Sequence, residues 1–291
     1  MSGKIALIGD PVDRSPSPPM HRAAFENLGL AMDYVAVRVT RRDLLEAFPS
    51  LRKAFFGLNV TRPLKEAILP LLDIVSPEAA EAGSVNTVTF RKDGTEGYST
   101  DGAGFLAALG RAGAGAPRRV LILGTGGAAR AIAGALRKAG ASVLVAGRNV
   151  EAGVRLARDL RGVAFLPMDA PHLAGALEDA EVLVNATPVG SEPNTRACPL
   201  PKKVELRPGL TVFDLVYRPR LTVLLIRAEA AGCRVVEGIE MLVEQAAASF
   251  AIWTGLPAPV EIMRRAAHGA LDEPVREAER PAIHASKWMT R

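Results

Sequence analysis

Apolar residues in this chain fall mostly in short runs separated by longer stretches with helical spacing. Residues 4–8, 33–39 and 57–60 read as strands, and the stretches around 21–28 and 42–54 read as amphipathic helices. That alternation predicts βα units on a largely parallel sheet. Residues 111–119, rich in Gly, Ala and Pro and without periodicity, interrupt it before a new apolar run, Val120-Leu121-Ile122-Leu123. From there a glycine-rich turn, a helix to about residue 139 and a strand over 142–146 make a complete βαβ opening. Further strands are expected at 182–186, 212–216 and 234–237, with an amphipathic helix over 221–231 and helical spacing again from 241 to 253.

The predicted class is therefore α/β. An N-terminal α/β domain with a mainly parallel sheet covers 1–110 and is completed by C-terminal helices within 239–270. A Rossmann-type domain covers 111–238, and a polar, proline-containing tail over 271–291 is expected to be peripheral. With 291 residues, 48% of them hydrophobic, each domain can bury its own core.

Charge and cysteine content narrow the function classes. The net charge of +5 comes from scattered basic residues, with no basic stripe interleaved with aromatics, so a surface that attracts small anions is expected rather than a nucleic-acid partner. Cys198 and Cys233 lie far apart without ligand-like neighbours, which suits a reducing compartment. The opening apolar run is too short for a signal peptide and no stretch is long enough to span a bilayer, so a cytoplasmic protein without membrane partners is expected. His21, His172, His268 and His284 have no metal-ligand spacing, and no metal is expected.

The second domain opens with Gly124-x-Gly126-x-x-Ala129 between a strand and a helix, the context of a dinucleotide-binding turn. Gly124 permits the tight turn, Gly126 lets the backbone approach a pyrophosphate, and Ala129 allows close helix–strand packing. The second strand ends in Ala146-Gly147-Arg148-Asn149, with no carboxylate where an NAD enzyme usually holds the ribose hydroxyls. Arg148 can instead pair with a 2′-phosphate, which favours NADP over NAD. In the first domain, Asn59-Val60-Thr61-Arg62-Pro63-Leu64-Lys65 is expected to end a strand and start a helix with Pro63 in its first turn. Polar groups thus gather at a strand's carboxyl end, where open α/β sheets bind ligands.

These segments belong to a longer ordered set. Ser15-Pro16-Ser17-Pro18 with His21 and Phe25, Asn59-Val60-Thr61-x-Pro63-x-Lys65, Asn86-Thr87 and Thr100-Asp101 precede the glycine-rich turn. Asn185-Ala186-Thr187-Pro188-Val189-Gly190, Asp214-Leu215-Val216-Tyr217-x-Pro219-x-x-Thr222 and Gly238-x-x-Met241-Leu242-x-x-Gln245-Ala246 follow it. Through them the chain resembles the shikimate dehydrogenase family from its first strand to about Trp253. The resemblance departs at Arg22 and Ser99, and at Gly147, each where the family commonly has asparagine.

The resemblance implies a substrate domain and a Rossmann domain facing across a cleft, in a monomer or homodimer that acts on a small molecule. The implied reaction is reversible NADP-dependent hydride transfer between 3-dehydroshikimate and shikimate, a step of chorismate and aromatic amino acid biosynthesis. Lys65 and Asp101 are the implied catalytic pair. Ser15, Ser17 and Tyr217 would hold the substrate carboxylate, and Thr61, Asn86 and Gln245 the ring hydroxyls. The implied cofactor contacts are Gly124, Thr125, Gly126, Gly127, Ala128, Arg148, Asn149, Thr187, Gly238 and Met241. Relatives that use quinate or aminoshikimate are the alternatives within the class, with Ser17 and Thr61 favouring shikimate; a non-catalytic NADP-binding regulator is the alternative outside it.

Overall fold

In the computed structural model, which describes residues 2–272, the described residues divide into two compact units, one formed by residues 2–100 with 245–272, the other by residues 101–244. The polar tail expected over 271–291 lies almost wholly outside the described residues.

The first unit runs β1 (Ser2–Gly9), α1 (Ser17–Asn27), β2 (Ala31–Arg38), α2 (Leu44–Ala54), β3 (Gly57–Val60), β4 (Ile74–Val75), α3 (Pro77–Ala82), β5 (Thr87–Arg91) and β6 (Gly94–Tyr98). Its six-stranded sheet has the order β2-β1-β3-β5-β6-β4. Strand β1 pairs in parallel with β2 and β3, and β4 with β6, whereas β5 is antiparallel to both β3 and β6. One sheet face buries Ala6, Ile8, Leu58 and Val60 against Leu44, Phe48 and Leu51 of α2. Local sequence defines the short helix α3: Ser76 accepts from the Ala79 amide at 3.2 Å, Pro77 occupies its first position, and Gly83 ends it in the left-handed region at φ 59°.

No helix begins at Pro63. After β3 the chain passes through turns to a single 3-10 turn at Leu69–Leu71. Carbonyls that a helix would use are taken locally or by a segment distant in sequence: Leu64 donates to Thr61 O at 2.9 Å, and Val85, in the coil before β5, donates to Lys65 O at 2.8 Å. Those bonds, with the buried Leu64 and Ile68, give the segment a folded path that propensity alone does not encode.

The second unit runs α4 (Asp101–Arg111), β7 (Arg119–Leu123), α5 (Gly127–Lys138), β8 (Ser142–Gly147), α6 (Val150–Asp159), β9 (Val163–Pro167), α7 (Ala170–Asp179), β10 (Val182–Asn185), β11 (Thr211–Asp214), α8 (Val223–Ala230) and β12 (Arg234–Val236). The long α9 (Gly238–Thr254) starts in this unit and ends in the first, to which α10 (Val260–Asp272) also belongs. The Gly-, Ala- and Pro-rich segment after residue 110 lies inside the second unit, between α4 and β7.

All pairs in its sheet, β12-β11-β10-β7-β8-β9, are parallel, and the order reverses between β7 and β10 as in Rossmann domains. The side chains alternate by face. Val120, Ile122, Val143 and Val145 pack with α4, α5 and α6 residues, while Leu121, Leu123, Leu183 and Val212 pack with Leu173 and Leu177 of α7 and Leu224 and Leu225 of α8. Helices α4 and α5 approach closely because position 102 is glycine; a β-carbon there would lie 2.8 Å from Ala131 O.

Candidate active site

In the first unit the candidate residues collect at the carboxyl ends of β1 and β3 and on α9. Ser15 and Ser17 sit where the loop after β1 enters α1, with Ser15 Oγ 3.1 Å from Ser17 Oγ and accepting from the Ser17 amide at 3.2 Å. Thr61 follows β3 directly, its amide donating to Ile8 O at 2.9 Å. Lys65, half-buried, lies four residues on. Asn86 is buried before β5, and its carboxamide is held on both sides. Its Oδ1 accepts from the Thr100 amide at 2.9 Å, and its Nδ2 donates to Thr100 Oγ1 at 2.8 Å and to Gln245 Oε1 at 3.1 Å. Asn86 and Gln245, 159 residues apart, are thus brought into direct contact.

Sequence reading gave no role to the groups beneath them, although Asn59 and Thr87 stand within its motifs. Tyr34, Asn59, Thr87 and Ser249 are all buried and bonded to one another or to Asn86 and Gln245. His21 is fully buried, stacked on Tyr34 with ring centroids 4.4 Å apart and 7° between planes, and tilted against Trp253. Neither of its ring nitrogens has a partner among the described residues, and burial depresses its pKa to about 3. The Ser99 hydroxyl, where the resemblance departs, is likewise buried without a partner among them.

In the second unit Asp101 is buried and is the first residue of α4. The turn after β7 fits a bound dinucleotide. Gly124 has φ +116°, and a β-carbon on it would meet the Ala186 backbone at 3.1 Å and Thr187 Cγ2 at 3.2 Å, whereas one on Gly126 would meet nothing within 4 Å. Gly126 precedes α5, whose first amides no side chain caps, leaving N–H groups and the positive end of the helix dipole for an anion. Thr125 packs on the end of β8, where a β-carbon on Gly147 would lie 2.6 Å from Thr125 Cγ2. Gly127 and Ala128 form the first turn of α5.

Arg148, just past β8, is exposed and makes no ion pair among the described residues. Asn149 caps α6, accepting from the Ala152 amide at 3.0 Å. Thr187, at the end of β10, donates to Asn185 Oδ1 at 2.6 Å. Asn185 in turn donates to Asp214, which also accepts from Thr222 Oγ1 at 2.7 Å and the Val216 amide at 3.0 Å. Burial raises the Asp214 carboxyl to about 6 despite these donors, which fasten the loop bearing Tyr217 to the ends of β10 and β11. Gly238 admits the start of α9 against that loop, where a β-carbon would come 2.5 Å from Leu215 O. Met241 is buried in the core on α9. Among the described residues no helix is long and apolar enough to cross a membrane, and no cluster of His, Cys, Asp or Glu suits a metal.

Three family profiles match in chain order: residues 7–88 match the shikimate dehydrogenase substrate binding domain, residues 108–197 the shikimate/quinate 5-dehydrogenase family, and residues 238–268 the shikimate 5′-dehydrogenase C-terminal domain. The NADP+ shikimate dehydrogenase of Moorella thermoacetica is 44% identical over 93% of this chain and 94% of its own length. The chain belongs to the shikimate dehydrogenase family. Among solved members, Thermus thermophilus shikimate 5-dehydrogenase in complex with NADP(H) and shikimate aligns with a TM-score of 0.86 at 43% identity, covering 93% of this chain and 100% of that one. Quinate dehydrogenase from Corynebacterium glutamicum, in complex with NAD, gives 0.83 at 32% identity, covering 92% and 99%. Within the shikimate dehydrogenase family this chain thus lies nearer to the two NADP-linked shikimate enzymes than to that NAD-bound quinate enzyme.

Proposed function

We propose that the chain is an NADP-dependent shikimate dehydrogenase that interconverts shikimate and 3-dehydroshikimate in aromatic amino acid biosynthesis. The observation that carries this reading is 44% identity, over nearly the full length of both chains, to a shikimate dehydrogenase that uses NADP+. NADP, when bound, supplies the hydride for reduction and takes it up in oxidation.

The protein's own groups bind, orient and move the proton. Lys65 Nζ takes the hydroxyl proton as the alcohol is oxidised and returns it on reduction, with Asp101 as its carboxylate partner. Ser15 and Ser17, with Tyr217, hold the substrate carboxylate, and Thr61, Asn86 and Gln245 the ring hydroxyls. A substrate with several hydroxyls requires this many polar groups, because each one left unpaired away from water costs about 1–3 kcal/mol. Gly124, Thr125, Gly126, Gly127, Ala128, Arg148, Asn149, Thr187, Gly238 and Met241 are the residues that would hold NADP, with Arg148 as the group that would pair with its 2′-phosphate.

Nicotinamide reduction by the purified protein, offered shikimate or quinate with NADP or NAD, tests the reading. Turnover of shikimate with NADP at the highest kcat/KM of the four combinations is the expected result. A preference for quinate, or no turnover of either acid, refutes it. In the same assay Arg148→Ala is expected to raise the KM for NADP about 10- to 100-fold, the worth of a charge-assisted contact, and to leave the KM for NAD nearly unchanged. An equal loss with both cofactors would remove Arg148 from the 2′-phosphate site.

A further inference from the structure

Five side chains of the first unit, Tyr34, Asn59, Thr87, Asn86 and Gln245, form one continuous run of hydrogen bonds. Tyr34 donates to Asn59 Oδ1 at 2.7 Å, Asn59 Nδ2 to Thr87 Oγ1 at 3.3 Å, Thr87 Oγ1 to Asn86 Oδ1 at 3.0 Å, and Asn86 Nδ2 to Gln245 Oε1 at 3.1 Å. Every group passes its hydrogen in the same direction, so each bond polarises the next. Ser249 braces the run from the side, 2.7 Å from Thr87 Oγ1, 3.2 Å from Thr100 Oγ1 and 3.2 Å from Asn59 Nδ2.

The run ends in substrate groups: Asn86 and Gln245 stand where the proposed function puts ring hydroxyls, and Tyr34 stands at the other end. We infer that Tyr34 is a positioning residue for substrate recognition: through Asn59 and Thr87, its hydroxyl sets the orientation of the groups that receive the ring hydroxyls of the acid. The inference rests on that functional reading.

A carboxamide offers a donor on one side and an acceptor on the other, and a half-turn exchanges them. The Tyr34 hydroxyl donates to one end of Asn59, so the Asn59 amino group faces Asn86 O at 2.9 Å, where a flipped oxygen would repel. Burial holds the Tyr34 phenol well above its ordinary pKa, which keeps it a donor at any working pH, and the stack on His21 fixes its ring. The Thr100 amide also grips Asn86 Oδ1, so loss of the Tyr34 hydroxyl loosens Asn86 rather than turning it over.

Steady-state kinetics of Tyr34→Phe test this. The KM for shikimate is expected to rise about three- to tenfold, the worth of one neutral hydrogen bond, with kcat changed less than about twofold and the KM for NADP unchanged. In a Gln245→Ala background the same substitution is expected to do measurably less. A lowered Tm with an unmoved KM for shikimate, or a KM effect equally large in the Gln245→Ala background, overturns the inference. If Tyr34→Phe does not fold, Ser249→Ala, which withdraws the brace from Thr87, Thr100 and Asn59, is read by the same split. Wild-type protein that does not turn over shikimate defeats the functional reading itself, an outcome distinct from normal wild-type turnover with an insensitive Tyr34→Phe.

Discussion

Replacing Lys65 with alanine is expected to lower kcat for shikimate oxidation by about 10²- to 10⁴-fold, the usual contribution of a positioned general acid–base. The loss should fall on kcat because the substitution removes the proton carrier and leaves its frame in place. The backbone at 65 is held by the Val85 amide on Lys65 O, and the neighbouring Leu64 and Ile68 stay buried. The KM for NADP should hardly move, since the residues proposed to bind it belong to the other unit. Lys65→Arg is expected to be nearly as poor, because a guanidinium does not give up its proton in proteins. Single-turnover rates separate the chemical step from product release, and a Lys65→Ala rate within about tenfold of wild type would remove Lys65 from proton transfer.

Acid stability is expected to depend on His21. Its pKa is about 3 in the folded protein against 6.5 for an exposed histidine, so between those values the unfolded chain binds a proton that the folded chain refuses. Stability from this group is therefore complete above pH 6.5 and is lost as pH falls, by about 1.4 kcal/mol per unit and about 5 kcal/mol in all by pH 3. His21→Phe keeps a ring between Tyr34, Phe25 and Trp253 and removes two nitrogens that have no partner among the described residues. Whatever its effect at pH 7.5, its stability relative to wild type should improve by about 3 kcal/mol between pH 6.5 and 4. Denaturant unfolding at several pH values measures this, and parallel curves for the two proteins would mean that the buried imidazole does not govern the acid limb.

Much of the second unit was legible because a parallel sheet buried on both faces writes itself as dense apolar runs. β7, β10 and β11 are such runs, and the glycines of the turn after β7 mark where a close approach is needed. The hairpin β5–β6 was not legible: Thr87-Val88-Thr89 is buried at every position, so no alternation marks a face, and β6 contains Gly94 and Gly97. The helix expected at Pro63 failed for a related reason, since the bond that holds Lys65 O comes from Val85, twenty residues away in sequence.

The candidate site divides in the same way. Residues that touch ligands sit in short recognisable motifs. The groups that support them pair over long separations, Asn59 with Ser249 across 190 residues and Tyr34 with Asn59 across 25, and no local pattern records such a pairing. Asp214 stood within a recognised motif, yet the motif says nothing of the burial that raises its carboxyl to about 6.

The contact between Thr125 and Gly147 limits the order in which this protein can change. The methyl of Thr125 occupies the space that a β-carbon at 147 would need. Gly147→Asn alone is expected to cost about 1–3 kcal/mol of stability through overpacking, whereas the same substitution in a Thr125→Ala background should be nearly free. Thermal unfolding of the two single variants and the double variant reads the difference. Of the two mutational routes to the double variant, only the one that makes Thr125→Ala before Gly147→Asn stays stable at every step; the other passes through a weakened intermediate, so the glycine is retained by its neighbour as much as by any ligand.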